Sequence, residues 1–446
     1  MEMKKFALVS FGNEESYGLL YVGAELKKYG EIKFFDAEFD ECVSKIIDYK
    51  PDYICFSPMT TFFQQAKDIE NKVKEKIDVV SIYGGHHASN SGKECGDLTI
   101  VGSIHGIDLN KRGIINNGAT RPENLVIPVR EEYYRDIPRM KNRYRKIMLS
   151  VAGCPFDCSY CSSSSSNNKR MYGDIKCMLK HRDMQHIIDE AKYIKPFTQE
   201  IEWVDDDILF GDQKWLYNFL ETWQREISLP MYVSTTSISA IRCSDKVLKL
   251  MRKSVNCVGL GVQASRTESL KLLGRGWDNE AQLKKAYDRL VKLGFRVNLQ
   301  AIVGLPIKDP VEDALDTVEA LKRIGTGSIV SVYPLQIYPN TKIEQYSKEN
   351  GYILNKECEG DTNTGMPAID FGYKTNNRLR NICKLATMVV KYGIDRKWLE
   401  AMMDIDLKES SQEMSMIRYY ECIKDRLPDK ADKIFGDIIS TMHLRS

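Results

Sequence analysis

The chain has no long apolar segment and no excess of charge of one sign. No apolar run reaches the roughly 18 to 20 residues of a membrane span, and the apolar part of the opening MEMKKFALVSFGNEES is too short for a secretory signal. The 64 basic and 62 acidic residues are mixed along the chain and leave a formal net charge of +2. Because no strong field attracts nucleic acid or an anionic membrane, we predict a cytoplasmic protein that binds neither.

The sequence also lacks the patterns of several common ligand sites. Ser162 to Ser166 form a run of five serines, but the glycines and lysine of a phosphate-binding P-loop are missing. We therefore interpret the run as a polar loop. There is no HxxxH and no second CxxC, so the two separated ligand pairs that are usual in structural zinc sites are absent.

Cysteine occurs at twelve positions, but a disulfide framework is not expected in a cytosolic chain of this size. With 446 residues, the chain is also long enough for two or three domains with their own cores. Nine cysteines are scattered singly and are interpreted as small buried hydrophobic residues. These are Cys42, Cys55, Cys95, Cys177, Cys243, Cys257, Cys358, Cys383 and Cys422.

The remaining three cysteines lie close together in VAGCPFDCSYC, at Cys154, Cys158 and Cys161. Each iron of a cubane iron-sulfur cluster takes a thiolate, so three cysteines on one loop leave one iron open to another ligand. A zinc knuckle is the alternative at this point, although it normally has a fourth ligand. The spacing therefore favours a cluster with an open iron.

This CxxxCxxC pattern, with the aromatic Tyr160 directly before its last cysteine, resembles the signature of the radical S-adenosylmethionine (SAM) enzymes. The resemblance implies that Cys154, Cys158 and Cys161 hold a 4Fe-4S cluster, whose open iron is chelated by the amino and carboxylate groups of SAM. It also implies that Tyr160 belongs to the SAM site.

Residues 146 to 350 alternate strand and helix six times, which predicts a partial (β/α)6 barrel of the TIM type and matches the family's core. In the first strand, Ile147, Leu149 and Val151 are predicted to share one apolar face. Asp245 is predicted to cap a later helix. The six strand segments are KIMLSVAGC, EIEWVDDD, MYVSTTSI, CVGLGVQAS, FRVNLQAIVGLP and SIVSVYPLQIYP.

Active sites of such barrels lie at the C-terminal ends of the strands. There the resemblance implies SAM contacts from VDDD near the methionine moiety, GVQAS at the ribose and AIVGLP along the adenine. An acidic helix-capping turn and a plain strand-to-helix turn are the alternatives for the first two. YPNT, with Pro339 and Thr341, resembles the family's PGT segment. The implied SAM residues are Asp205, Asp206, Asp207, Gly261, Gln263, Ser265 and Gly304.

Residues 1 to 110 show a doubly wound, Rossmann-like α/β pattern, with apolar strands in KKFALVSFG, EIKFFDAEFD, PDYICFSPMTT and DVVSIYGGHHAS. The order of SPM and GGHHAS after the last two strands resembles the cobalamin-binding domain that precedes many radical SAM enzymes. The resemblance implies cobalamin contacts from Ser57, Met59, Gly84 and Gly85. However, the first loop reads GNEESYG and lacks the DxHxxG motif that supplies a histidine to cobalt, and His86 and His87 are interpreted as surface or tail-contacting residues.

Two further segments complete the predicted organisation. Residues 111 to 145 mix glycine, proline and charge and are predicted to be a linker. Residues 351 to 446 are predicted to be mostly helical, from the apolar spacing in NRLRNICKLATMVVKYG and IRYYECIKDRL.

The resemblance implies reductive cleavage of SAM to a 5′-deoxyadenosyl radical, followed most readily by cobalamin-dependent methylation of an unactivated carbon. It also implies a small-molecule or peptide substrate and a low-potential electron donor such as flavodoxin or ferredoxin. One alternative is a cobalamin-independent radical elimination, rearrangement or ring contraction. The other is a non-catalytic iron-sulfur or zinc protein, against which the ribose-like and adenine-like segments argue.

Overall fold

The computed structural model describes residues 3–118, 126–173, 176, 179–354 and 366–405. Within these ranges the chain forms two sheets of six strands each, with helices between successive strands. The registered strand pairs run parallel in both sheets. The predicted α/β class is therefore confirmed.

The first sheet has the order β2-β1-β3-β4-β5-β6. Because the winding reverses between β1 and β3, the topological switch point of the sheet lies between these two strands, where open α/β sheets bind ligands. The sequence KKFALVS of β1 is almost continuously buried, as expected for a strand covered on both faces. The strands are β1 Lys4–Ser10, β2 Gly30–Asp36, β3 Tyr53–Phe56, β4 Val80–Tyr83, β5 Leu98–Gly102 and β6 Gly113–Gly118.

Helices cover this sheet with apolar faces, and one core cluster joins Val9, Ile54 and Phe56 of the strands to Ile46 and Val73 of the helices. This arrangement confirms the doubly wound pattern predicted for the N-terminal region. The first five helices are α1 Tyr17–Leu26, α2 Cys42–Tyr49, α3 Phe63–Lys74, α4 Gly85–Ser91 and α5 Arg130–Asp136.

The prediction of a linker at residues 111–145 was wrong for much of the segment. Its first part is β6, which pairs with β5 at the edge of the first sheet, and α5 follows later. β6 escaped prediction because its sequence, GIINNG, is polar and only half-buried, so it has no apolar run. The Asp136 carboxylate accepts a hydrogen bond from Phe34 N of β2 at 2.9 Å. The end of α5 is therefore bonded to the first sheet.

The second sheet has its strands in chain order, from β7 at one edge to β12 at the other. This is the order of a partial parallel barrel, and all six predicted strand segments contain a strand. The strands are β7 Arg145–Met148, β8 Glu200–Trp203, β9 Met231–Thr235, β10 Val255–Gln263, β11 Arg296–Val303 and β12 Ile329–Pro334.

The apolar face predicted for the first barrel strand is not the face that is buried. Lys146, Met148 and Ser150 are fully buried, whereas Ile147, Leu149 and Val151 are only half-buried. The alternation of apolar residues therefore located the strand but not its buried side. The buried side carries Lys146 and Ser150, whose polar groups bond to buried partners.

Nine helices follow the strands of the second sheet in the described ranges. The cap predicted at Asp245 was wrong by one residue, since Ser244 Oγ accepts from Val247 N and Asp245 lies in the first turn. The helices are α6 Ser165–Tyr172, α7 Met184–Ile194, α8 Gln213–Glu226, α9 Ser237–Arg242, α10 Asp245–Met251, α11 Thr267–Leu272, α12 Glu280–Lys292, α13 Pro310–Gly325 and α14 Lys342–Glu349.

The C-terminal part contributes α15 Tyr373–Tyr392 and α16 Arg396–Met402. The helix predicted in NRLRNICKLATMVVKYG is confirmed by α15, while IRYYECIKDRL lies outside the described residues. No helix in the described ranges is both long enough and apolar enough to span a membrane.

The chain divides into two compact units that do not follow the sheets. The described residues of Met1–Thr235, Arg242–Val258 and Tyr338–Gln345 form the first unit. Those of Thr236–Ile241, Gly259–Ile337 and Tyr346–Ser446 form the second.

Candidate active site

The strand that leads into the cysteine loop, β7, is held along its free edge by two buried arginines. Arg130 Nη2 donates to Ile147 O at 2.6 Å, and Arg182 Nη1 donates to Leu149 O at 2.9 Å. Because β7 is an edge strand, its outer carbonyls have no neighbouring strand to pair with. The two arginines donate hydrogen bonds to these carbonyls instead. The backbone that leads into the cysteine loop is therefore held in position.

These arginines belong to a buried network of charges. Both bind the carboxylate of Glu190, at 2.8 Å from Arg130 and 2.9 Å from Arg182. Arg130 also donates to Glu15 at 2.8 Å, and Lys146 Nζ donates to the other Glu15 oxygen at 2.9 Å. Burial alone would raise the pKa of Glu15, but Arg130 and Lys146 outweigh it and lower that pKa. All five side chains are at most 2% exposed.

The cysteine loop after β7 is a compact turn. Cys158 is buried, and Cys154 and Cys161 are half-buried. Cys161 N donates to Cys158 O at 3.2 Å, and Asn167 Nδ2 donates to Cys161 O at 3.1 Å. The backbone around the predicted ligands is thus ordered by its own hydrogen bonds.

The three thiols are close enough to affect one another. Burial raises the pKa of Cys154 to about 12, with a further increase from Asp206. Burial, Asp206 and the other two cysteines raise the pKa of Cys161 well above its usual value. No three His, Cys, Asp or Glu side chains in the described ranges form a ready-made metal site. When bound to iron, these thiols would be in their deprotonated form.

The serine run is not one polar loop as predicted. Ser164 is the N-cap of α6, because its side chain accepts from Asn167 N, and Ser165 and Ser166 are in the helix. Ser166 also bonds through its hydroxyl to the carboxylate of Asp157 within the cysteine loop. The serines therefore attach the loop to a helix, as expected from the helix-capping preference of serine.

The three consecutive aspartates after β8 have different environments. Asp205 is buried and accepts from Ser150 N at 2.6 Å and Val151 N at 3.1 Å, so it joins the ends of β7 and β8. Asp207 is buried and accepts from Leu209 N at 3.2 Å and Thr235 Oγ1 at 2.7 Å. Burial raises the pKa of Asp205 to about 6. Both carboxylates serve the local structure.

Asp206 is the aspartate directed towards the cysteines. Its side chain is open to solvent, yet the surrounding protein and the neighbouring Asp205 raise its pKa to about 7, while Ser163 opposes the increase by hydrogen bonding. Its charge contributes to the raised pKa of Cys154 and Cys161. Of the predicted acidic trio, Asp206 alone therefore combines an open side chain with proximity to the cysteine loop.

Several residues near the loop were not predicted. His181 stacks on Trp215 with ring centroids 3.7 Å apart, and its Nδ1 lies 3.5 Å from Ser150 Oγ. Burial lowers the pKa of His181 to about 4. Tyr338 is near enough to Cys161 for that thiol to raise its pKa, although burial contributes more. His181 and Trp215 are isolated in the sequence, so no local pattern could have indicated them, whereas Tyr338 belongs to the YPNT segment but was given no role there.

The YPNT segment links the cysteine loop to the first sheet's helices. Ile343 N donates to Ser159 O at 3.0 Å. Asn340 Nδ2 donates to Asn90 O at 2.7 Å and Ser91 O at 2.8 Å, at the end of α4. Thr341 is buried and bonds to Tyr338 O within the turn. The resemblance pointed to this segment but not to the asparagine that makes the link.

In the second unit, the GVQAS segment ends β10 in a strained conformation. Gln263 has a φ of +68°, which side chains other than glycine and asparagine seldom adopt. A Cβ at Gly261 would lie 2.6 Å from Gln263 Nε2, so this glycine makes room for the glutamine side chain. Arg275 Nη2 fixes the same backbone by donating to Gly261 O at 2.8 Å. Strain at a strand end is typical of functional positions.

Gly304 follows β11 with a φ of +75°, so the turn itself favours glycine. A Cβ there would lie 3.4 Å from Pro367 and 3.5 Å from Leu379. One side of this glycine is therefore closed by the residues before and within α15.

The predicted cobalamin residues lie at the C-terminal edge of the first sheet. Gly85 has a φ of +76°, and a Cβ there would meet Ser57 Oγ at 2.3 Å, so the two residues are in close contact. At Gly84 a Cβ would have only Ile100 O nearby, at 3.9 Å. Gly84 thus faces open space at the end of β4, beside β5.

The side chains around these glycines are open or aromatic. Met59 is 59% exposed. His87 stacks on Phe63 at 4.0 Å between ring centroids, and its Nδ1 lies 3.3 Å from Thr60 Oγ1. His86 is open to solvent, although burial by the surrounding protein lowers its pKa. No histidine comes from the first loop, whose Glu15 belongs to the buried network.

Residues 148–321 match the model of the radical SAM superfamily. The chain carries a radical SAM domain. Its match begins at the end of β7 and includes the cysteine loop, the acidic turn after β8, the GVQAS segment and the turn after β11.

Two curated proteins are similar to this chain over most of their length. One is an uncharacterized methyltransferase of Pyrococcus horikoshii, 21% identical over 414 residues, which cover 83% of this chain and 86% of the relative. The other is the bacteriochlorophyllide d C-8(2)-methyltransferase of Chlorobaculum tepidum, 22% identical over 354 residues, with coverage of 74% and 75%.

Solved structures extend the similarity to the whole fold. The radical SAM methyltransferase TsrM from Kitasatospora setae, with cobalamin and a 4Fe-4S cluster bound, matches with a TM-score of 0.59, 14% identity and 78% of each chain covered. The cobalamin-dependent radical SAM enzyme OxsB, with aqua-cobalamin and SAM bound, matches with a TM-score of 0.60 and 13% identity, covering 99% of this chain and 75% of OxsB. At these identities the likeness establishes the fold, including both sheets.

Proposed function

We propose that this radical SAM enzyme methylates an unactivated carbon with the help of cobalamin. The observation that carries the proposal is the pairing of two features in the first compact unit. A cysteine loop with Asp206 beside it follows β7, and an open space at Gly84 lies at the C-terminal end of β4 in the first sheet. The similarity to methyltransferases and to cobalamin-dependent structures supports it.

Cys154, Cys158 and Cys161 would hold a 4Fe-4S cluster, and their spacing matches the family motif. Asp206 would meet the amino group of SAM, since it is the acidic side chain left open beside the loop. When bound, the cluster supplies the electron that cleaves SAM, and cobalamin supplies the methyl group. The buried network and Asp205 would keep the loop's backbone in place during this chemistry.

Gln263 and Ser265 would hydrogen-bond the ribose of SAM, while Gly261, Gly304 and Tyr160 would line the same cofactor. The donor and acceptor groups of these side chains suit a sugar hydroxyl. The fit rests on the end of β10. There Gln263 has a left-handed backbone conformation, and its side chain lies close to Gly261, which has no Cβ to obstruct it. A low-potential flavodoxin or ferredoxin would supply the electron, and a small molecule or peptide would be the substrate.

Cobalamin fits the edge of the first sheet through Ser57, Met59, Gly84 and Gly85. Gly84 leaves space for a ligand's nucleotide tail, and Met59 offers an exposed apolar surface. The first loop has no histidine for cobalt, and its Glu15 is committed to Arg130 and Lys146. We therefore propose binding without a histidine from that loop.

Replacing Gly84 with leucine is expected to weaken cobalamin binding by at least about tenfold, because the side chain would enter the space assigned to the cofactor tail. Binding is measured by absorption after anaerobic reconstitution of the full chain. Gly84 is preferable to Gly85, whose replacement would collide with Ser57 whether or not cobalamin binds.

Gly276→Leu is the matched control, since a Cβ there meets only the flexible Lys271 side chain, at 3.4 Å, and the Lys271 Cα at 4.0 Å. Both variants should keep the iron-sulfur cluster. The wild type with its substrate should form both 5′-deoxyadenosine and S-adenosylhomocysteine. Absence of cobalamin binding, with 5′-deoxyadenosine as the sole SAM product, would instead support radical elimination or rearrangement.

The combined replacements Gln263→Asn and Ser265→Ala are expected to weaken SAM binding by about 1 to 3 kcal/mol, because the amide at residue 263 would no longer reach the ribose and the hydroxyl at residue 265 would be lost. Asparagine suits the left-handed backbone at residue 263, so the change shortens the side chain without adding strain. Affinity is measured by calorimetry on cluster-loaded protein. Unchanged affinity with normal cluster content would assign GVQAS to a plain structural turn.

A further inference from the structure

Helix α15 lies along the free edge of β12, the last strand of the second sheet. Thr387 Oγ1 donates to Val330 O of β12 at 2.8 Å. Eight residues earlier, Leu379 approaches Gly304, where a Cβ would be 3.5 Å from Leu379 Cδ1. The first half of α15 is therefore near the C-terminal ends of β11 and β12, the end at which barrel enzymes bind substrates.

Two cations, Arg380 and Lys384, lie one turn apart in the middle of α15. Residues three, four and seven apart share a side of a helix. Arg380 and Lys384 are therefore on the same stripe as Thr387, which bonds to the strand edge. Arg380 is next to Leu379, the residue that approaches the end of β11, and Lys384 lies between it and Thr387.

Neither cation has a carboxylate partner among the described residues, unlike other arginines nearby. Arg380 is half-buried, and its Nε is buried without a hydrogen-bond partner. In contrast, Arg378 binds both oxygens of Asp404, at 2.6 and 2.8 Å. A buried donor without a partner is costly, and like charges one helical turn apart repel each other. This pair is thus an unfavourable arrangement in the protein alone.

The lowered pKa of Lys384 also indicates that its positive charge is unfavourable in the protein alone. Although its side chain reaches solvent, burial by the surrounding protein and then the charge of Arg380 lower its pKa to about 8, while Cys383 acts in the opposite direction. A nearby anion would relieve both effects.

We propose that Arg380 and Lys384 bind an anionic group of the substrate, either a carboxylate or a phosphate. The geometry suits this role, because a planar guanidinium donates to two oxygens and an ammonium adds a point charge. The inference rests on the proposed function, since it assigns the substrate class of the same enzyme. It gives α15 a binding role beyond covering the edge of β12.

The test follows the reactivity of Lys384 towards a neutral succinimidyl ester, measured by peptide mass spectrometry on the cluster-loaded full chain. Inorganic phosphate and acetate are the two probes. A bound anion that raises the Lys384 pKa from about 8 by about one unit would reduce the reactive neutral amine at pH 8 about fivefold. Arg380→Gln should abolish this protection, whereas Lys374→Gln, on another side of α15, should preserve it.

Protection by both probes would support a general anion site, and protection by one would support it and identify the substrate's anionic group. No protection by either probe would overturn the inference. Cluster content and SAM cleavage without substrate are measured on the same samples. If these are normal while protection is absent, the anion site alone fails. If the wild type lacks them, the proposed function fails.

Discussion

Replacing Cys154, Cys158 or Cys161 with alanine is expected to abolish both the visible absorption of the iron-sulfur cluster and the formation of 5′-deoxyadenosine from SAM. Each cysteine would supply one thiolate to the cluster. The loop contains no fourth cysteine that could replace one of them. Iron content, absorption and product formation are measured after anaerobic reconstitution.

Cys243→Ala is the matched control. Cys243 is also buried, but it lies before α10 and its thiol contacts the Ser244 carbonyl at 3.8 Å. This variant should lose some stability and keep the cluster. Near-normal iron and SAM cleavage in all three loop variants would remove the cluster assignment and favour a structural role for the cysteines.

Replacing Arg130 with methionine is expected to reduce the free energy of unfolding by about 3 to 5 kcal/mol, because Glu15 and Glu190 would lose their shared cation in a buried site. The same change leaves Ile147 O at the edge of β7 without its donor. We therefore also expect lower cluster occupancy. Unfolding is followed by urea titration of the cluster-free protein, and cluster content by iron analysis.

Arg378→Met is the control for this prediction, since its ion pair with Asp404 is partly exposed and should contribute less than about 1 kcal/mol. Similar stability losses in the two variants would show that the buried network is not a special stabilising feature. Full cluster occupancy in Arg130→Met would show that the loop does not depend on the support of β7.

Much of the architecture could be predicted because its strands are apolar runs separated by helical periodicity. All six barrel strands were located in this way, as were the first four strands of the N-terminal sheet. β6 was missed because its stability depends on pairing with β5, and its polar sequence carries no such signal. The inverted faces of β7 have a related cause, since Lys146 is buried by a partner, Glu15, that is distant in the sequence.

The site shows the same division. The grouping of the three cysteines could be recognised because they are close in sequence, and the turn at Gly304 because its positive φ favours glycine, while their roles in binding stay predictions. The differing roles of the three aspartates were not predictable, since they depend on Ser150 and Thr235 at other strand ends. Arg380 could not be found either, because its unusual property is a buried Nε that has no hydrogen-bond partner among the described residues.

The link made by Asn340 bears on the order in which the protein folds. It joins the end of α4 to a segment that also binds the cysteine loop, across a separation of 250 residues in the chain. Contacts this distant form late, because closing a long loop costs entropy before the contact forms. During synthesis the three cysteines leave the ribosome well before residues 340 and 343. The nascent loop therefore lacks its bond to Ile343 for a time, and we expect insertion of iron and sulfide to be completed after this late contact has formed.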